Sequence, residues 1–142
     1  MKNKFDFDVD GLVAEAMTAM KAAYAPYSGY FVGAALLAAD GKIYRGCNIE
    51  CSTYSPTNCA ERTAFFKAVS EGVTDFTAIA IVGGPGGKIK GFASPCGVCR
   101  QVMAEFCDVK TFKVVLFDGK ETVIYTLEEL LPLSFGKADL NK

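Results

Sequence analysis

Apolar residues recur at helical spacing through Val9, Leu12, Val13, Ala16, Met17 and Met20, which marks one buried face of a helix. Asp8 or Asp10 can cap its start, and Pro26 must stop it, so the pattern predicts a helix over 9–24. From Phe31 to Ala39 the chain is almost wholly apolar, Asp40-Gly41 is a two-residue turn signal, and Lys42 to Asn48 resumes an extended pattern. A hairpin is predicted there. The polar stretch 49–58, with Pro56, reads as a loop, and 59–71 reads as a helix closed by Gly72. Phe76 to Val82 reads as a third strand. Gly83-Gly84-Pro85-Gly86-Gly87 predicts a long loop reaching Ala93, after which Pro95 opens a helix to about Phe106. Thr111 to Phe117 and Glu121 to Thr126 flank Asp118-Gly119 as two further strands, and Leu127 to Leu131 reads as a short helix.

The alternation of strand, helix, strand, helix, strand through the middle of the chain favours parallel pairing under covering helices, while the opening hairpin makes the sheet mixed. The predicted class is α/β: a three-layer α/β/α sandwich around a five-stranded mixed sheet, in a single domain spanning 1–142. No internal repeat or low-complexity linker interrupts it.

Composition narrows the function. With 142 residues, 51% hydrophobic and 22% charged, the chain fits one packed globule that needs no disulfides. A net charge of -1 and a pI near 5.5 oppose a role built on nucleic-acid phosphates, and Lys88, Lys90, Arg100 and Lys110 are scattered rather than clustered. Lys2 and Lys4 are followed by Asp6, Asp8 and Asp10 rather than by an apolar signal core, and no apolar run is long enough to span a bilayer. A cytoplasmic location is therefore expected, where thiols stay reduced and Cys-x-x-Cys points to metal or redox chemistry.

The chain holds six cysteines and no histidine, so a tight zinc site would have to be built from thiolates. Cys59-Ala60-Glu61 and Pro95-Cys96-Gly97-Val98-Cys99 supply three soft ligands and one carboxylate. Three protein ligands with an open fourth position are the pattern of a catalytic zinc site, whereas structural sites close with four. Both motifs fall where a loop enters a helix, and the partial positive charge of a helix amino terminus favours thiolate. Cys96 and Cys99, three apart, share one helical face, and Cys59 must arrive from the other helix. Glu61, two residues beyond Cys59, can reach the open side without ligating and move protons there. Three thiolates leave a zinc site formally at -1, which opposes ionisation of a water. Arg62, beside Glu61, is the candidate to draw charge from the sulfurs, aided by the two helix starts and Gln101.

Cys-x-Glu followed by Pro-Cys-x-x-Cys resembles the signature of zinc nucleoside and nucleobase deaminases. Tyr24-Ala25-Pro26-Tyr27-Ser28, Val32-Gly33-Ala34-Ala35-Leu36, Gly46-Cys47-Asn48-Ile49-Glu50, Cys59 to Ala64 and Ser94 to Gln101 extend the resemblance to the cytidine deaminase branch over nearly the whole chain. It implies Zn2+ on Cys59, Cys96 and Cys99, with Glu61 shuttling protons as cytidine or deoxycytidine is hydrolysed to the uracil nucleoside and ammonia. It also implies that Asn48 and Glu50 bind the ribose hydroxyls, that the Ala60 N-H and the Ser94 carbonyl hold the base, and that the arginine matching Arg62 touches ligand sulfurs. Phe135 matches an aromatic contributed by a neighbouring subunit, and Tyr54 is placed in the same role, so a homotetramer with shared sites is expected. Tyr30 stands where the family usually carries Phe, and the Gly83 to Ala93 loop is longer than in short members.

Glu50 disfavours a phosphorylated substrate by charge repulsion. Two alternatives stay open on the residues: a deaminase of another cytosine nucleoside such as blasticidin S, and a structural zinc module closed by Cys47 or Cys51 as fourth ligand. Asn48-Ile49-Glu50 favours cytidine over the first, and Glu61 would have no task in the second. A nucleic-acid-editing deaminase is disfavoured by the acidic balance.

Overall fold

A computed structural model describes residues 5–140; Lys2 and Lys4 lie outside them. Helix α1, Val9–Met20, begins where the Asp8 side chain accepts a hydrogen bond from the Gly11 N-H. It ends four residues earlier than the periodicity predicts. Tyr24 is recruited instead into a parallel bridge with Ile49, its N-H donating to the Asn48 carbonyl and its carbonyl accepting from the Glu50 N-H, each at 2.9 Å.

Strands β1 (Tyr30–Ala38) and β2 (Ile43–Cys47) form the first hairpin. Its loop has three residues rather than two. Ala38 N-H donates to Lys42 O, Gly41 N-H donates to Ala38 O, and Gly41 takes a left-handed φ, the pattern of a type I turn followed by a glycine bulge. Strand β3, Phe76–Pro85, runs through the first part of the glycine-rich segment read above as loop, pairing Gly83 with Val32 and Gly84 with Phe31. Glycine is required at 84, because a Cβ there would lie 1.8 Å from the Lys88 carbonyl oxygen, which folds back across the strand end. Strands β4 (Lys113–Phe117) and β5 (Thr122–Thr126) complete a five-stranded sheet in the order β2-β1-β3-β4-β5.

Only β3 and β4 pair in parallel; β1 is antiparallel to both its neighbours, β2 and β3. The sheet is mixed as predicted, but the parallel pairing expected through the middle is interrupted by β1 lying between β2 and β3. Because two antiparallel steps restore direction, β2, β3 and β4 still point the same way. Their carboxyl ends share one edge of the sheet.

Residue alternation splits the core into two layers. Ala34, Leu36, Ile79, Ile81, Val114 and Leu116 face helices α2 (Ala60–Ser70) and α3 (Gly97–Phe106) together with Phe65, Met103 and Leu127. Ala35, Ala78, Ala80, Val82 and Val115 face α1 through Leu12, Val13, Ala16 and Met20. The result is the three-layer sandwich. Helix α4, Leu127–Leu130, carries a capping box between Thr126 and Glu129. A further single-turn helix, α5 (Lys137–Leu140), has no counterpart in the sequence reading; four residues are too few for a hydrophobic period to register.

Candidate functional site

Strand β2 feeds α2 and strand β3 feeds α3, so both helices begin at the edge where the strands' carboxyl ends lie, the usual position of a site in an open α/β sheet. Cys59 is the N-cap of α2 and Cys96 the N-cap of α3, and neither sulfur is spent on a capping hydrogen bond. Gly46 at the end of β2 lets α2 approach, since a Cβ there would lie 2.3 Å from Ala60 O and 2.5 Å from Ala64 N. The helix carrying Cys59 and Glu61 is thereby seated on the sheet by its first turns.

The sulfurs of Cys59, Cys96 and Cys99 all lie within 4.8 Å of one another, with Cys59 to Cys96 at 4.0 Å and Cys96 to Cys99 at 3.5 Å. A tetrahedral zinc with bonds of about 2.3 Å demands edges of about 3.8 Å between its sulfurs, so these three thiols fit Zn2+. Cys47 and Cys51 are not part of the cluster, and among the described residues no fourth histidine, cysteine or carboxylate closes it. The closed structural module is not what the chain builds.

Arg62 Nη2 donates to Cys59 Sγ at 3.3 Å. The hydrogen bond from Cys99 and then the Arg62 guanidinium hold the Cys59 thiol well below its ordinary value, so it ionises first. That same hydrogen bond, reinforced by burial, pushes Cys99 up. Loading a cation must therefore release protons from the cluster. Arg62 Nε is buried without a partner.

Glu61 is 5% exposed and is the one buried acidic or basic side chain among the described residues. Burial is the main reason its carboxyl is pushed up to about 7, with the neighbouring Cys59 thiolate adding to it. A carboxyl with that value both takes and releases protons near neutrality.

Cys59, Ala60, Glu61, Ser94, Cys96, Asn48 and Tyr30 line one cavity of about 450 Å³, joined by Val32, Thr57, Asn58 and Phe92, which the sequence reading did not single out. Adjacency was the available signal: Asn58 precedes Cys59 and Phe92 stands two residues before Ser94. A second hollow, of about 670 Å³, lies between residues 6–15 and the β1–β2 turn and holds Asp6, Asp8 and Glu15 but no thiol. The smaller one is the candidate site, because it brings together two of the clustered thiols and the buried Glu61 carboxyl.

Asn48 ties the cavity wall together: its Oδ1 accepts from Val32 N-H at 2.9 Å and its Nδ2 donates to Tyr30 O at 2.8 Å. The Ser94 hydroxyl accepts from Arg100 Nη2 at 2.8 Å. Glu50 does not line the cavity; its carboxylate accepts from Tyr27 N-H, Ser28 N-H and the Ser28 hydroxyl. Tyr54 is 70% exposed and meets Tyr27 edge-on at 6.2 Å, and Phe135 is 59% exposed; neither lines the cavity. Gln101 turns its amide to the Phe135 carbonyl at 2.7 Å rather than to the sulfurs.

Residues 8–116 match the family model described as the cytidine and deoxycytidylate deaminase zinc-binding region. The chain is 55% identical over 135 residues to the cytidine deaminase of Sporosarcina psychrophila, covering 94% of this chain and 96% of that protein. It is 50% identical over 131 residues to the cytidine deaminase of Halalkalibacterium halodurans, covering 92% and 96%. Its structure superposes on that of a cytidine deaminase from Burkholderia pseudomallei with a TM-score of 0.83 at 42% identity, covering 91% of this chain and 100% of that one.

Proposed function

The chain belongs to the cytidine and deoxycytidylate deaminase family, and from that premise we propose that it hydrolyses cytidine and deoxycytidine to uridine and deoxyuridine with release of ammonia. The observation that carries this reading is the juxtaposition of three clustered sulfurs with one buried carboxyl on the wall of a cavity. Cys59, Cys96 and Cys99 would hold Zn2+, which when bound supplies Lewis acidity and an ionisable water at neutral pH.

The chain's own residues do the rest. Glu61 takes one proton from the attacking water and hands it to N3 of the base, then takes the second from the hydroxyl now on C4 and delivers it to the departing amine. The water's oxygen bonds to C4 and the C4-N4 bond breaks, so one water is consumed for each ammonia released. Arg62 withdraws charge from Cys59 through its 3.3 Å hydrogen bond, offsetting the excess negative charge of three thiolates. The Ala60 N-H and the Ser94 carbonyl hold the base against the cavity wall, on which Tyr30 presents an aromatic ring. Asn48 and Glu50 receive the sugar, and the Glu50 carboxylate repels phosphorylated substrates.

The chain works as a single domain over 1–142 and assembles as a homotetramer, with exposed Phe135 and Tyr54 reaching a neighbour's cavity. Gln101 holds the segment that presents Phe135. No helix among the described residues is long and apolar enough to cross a membrane, and the nucleoside chemistry together with reduced thiols fits the cytoplasm.

The test follows ultraviolet absorbance of zinc-loaded protein with cytidine, deoxycytidine, CMP and blasticidin S in parallel. Both nucleosides are expected to turn over and CMP not. Failure to deaminate either nucleoside overturns the proposal, and preferential turnover of blasticidin S replaces the substrate.

A further inference from the structure

Glu50 is held by the segment 24–30, of which only Tyr30 lines the cavity. Residues 24–30 pass beside the strand-like stretch 48–50, with Tyr24 N-H donating to Asn48 O and Glu50 N-H donating to Tyr24 O, both at 2.9 Å. The chain then turns so that Tyr27 N-H and Ser28 N-H converge on Glu50 Oε1 at 3.0 and 3.1 Å. The Ser28 hydroxyl donates to Glu50 Oε2, and Ser28 Oγ accepts from Tyr30 N-H at 3.0 Å. Both oxygens of the carboxylate are thus engaged by one short loop, and that loop delivers Tyr30 to the cavity wall.

A carboxylate has about four lone-pair sites. Two on Oε1 and one on Oε2 are used here, so a single acceptor position remains, on the oxygen that Ser28 holds. Ser28 is exposed, so its hydroxyl fills no packed core, and the bond it makes is the first cause that holds the Glu50 carboxyl below its ordinary range. The arrangement keeps the group ionised and fixed before any ligand arrives, which lowers the ordering cost of binding.

We propose that Ser28 is a positioning residue for nucleoside recognition: its hydroxyl locks the Glu50 carboxylate so that one vacant acceptor meets one sugar hydroxyl. This rests on the reading of Glu50 as a sugar contact. Removing the Ser28 hydroxyl leaves both bonds to Oε1 intact while releasing Oε2 and the Tyr30 N-H; the loss at Oε2 is felt only by a substrate with sugar hydroxyls, whereas a displaced Tyr30 would weaken both substrates alike.

Steady-state kinetics of the zinc-loaded protein on cytidine and on 2′,3′-dideoxycytidine, which lacks both secondary hydroxyls, test it with Ser28→Ala, Ser28→Thr and Glu50→Ala. For Ser28→Ala, KM for cytidine is expected to rise roughly tenfold, about the worth of one hydrogen bond to a charged group, with kcat little changed and KM for dideoxycytidine unmoved. Ser28→Thr, which keeps a hydroxyl, restores the cytidine value. If Glu50→Ala leaves the ratio of the two KM values as it was, the sugar role of Glu50 is wrong and the Ser28 proposal falls with it. If Glu50→Ala collapses that ratio while Ser28→Ala does not, or if Ser28→Ala raises both KM values alike, only the positioning role of Ser28 is overturned.

Discussion

Glu61 and Arg62 sit side by side on the first turn of α2, yet one is buried with its carboxyl pushed up to about 7 and the other spends its charge on a sulfur. Their division of labour predicts different losses. Glu61→Gln keeps the shape and the zinc but cannot shuttle protons, so turnover is expected to fall at least a hundredfold, the low end for general acid-base catalysis; metal analysis alongside the assay checks it, and wild-type turnover would remove Glu61 from the chemistry. Arg62→Ala deletes a charge-assisted hydrogen bond, and turnover is expected to fall roughly tenfold or more with zinc retained. An unchanged rate with full zinc would contradict the charge-balance argument. The cluster of Cys59, Cys96 and Cys99 with Glu61 close by was legible because each motif sets its own members two or three residues apart. Gln101 was not, because spacing from Cys99 cannot say which way an amide turns, and the Phe135 carbonyl that captures it lies 34 positions away.

Elements read from periodicity hold their places, and they depart from it where tertiary contacts claim the backbone. The last turn predicted for α1 is lost to the Tyr24–Ile49 bridge, and β3 outruns its prediction because β1 offers a pairing edge up to Pro85. Glycines at 83 and 84 are poor strand formers in isolation, but here their lack of side chains admits the returning loop. The seating of α2 on the sheet depends on a glycine in the same way. Gly46→Ala forces a methyl to within 2.3 Å of Ala60 O, so the helix must shift. We expect a loss of about 1–3 kcal/mol, typical of overpacking, seen as a lower Tm together with weaker zinc retention, because Cys59 moves with the helix. A drop in Tm with zinc affinity unaltered would show that the helix start is held independently of Gly46.

At the scale of the molecule, stability and assembly carry their own tests. Cys107 packs against the larger core layer, and burial, with the Asp75 charge, pushes its thiol well up. A free thiol ionises near about 8.5, so above that value the unfolded chain sheds a proton that the folded chain keeps. Stability from this group is complete below the ordinary thiol value and falls as pH rises beyond it. The urea midpoint is expected to decline between about pH 8 and about pH 10, and less steeply in Cys107→Ala; equal slopes would exclude this thiol as the cause. Shared active sites are testable by mixing. Phe135→Ala and Glu61→Gln chains, each defective alone, are expected to recover activity on co-refolding if a neighbour supplies the aromatic, and sedimentation should give a tetramer. No recovery, or a monomer, overturns the shared-site reading.

What the sequence determined by itself was local and compositional: which segments alternate or repeat at helical spacing, that a tight zinc site would have to be built from thiolates, and that a carboxylate stands two residues beyond one of three candidate ligands. These follow from short-range covalent spacing. Only the tertiary structure decided that β1 inserts between β2 and β3, that two helix starts 37 residues apart bring their sulfurs together, and that both oxygens of Glu50 are already taken by the Tyr27-Ser28 turn. Those outcomes depend on which non-local surfaces bury each other and which buried or constrained polar groups find partners, and neither is encoded in the spacing of one segment.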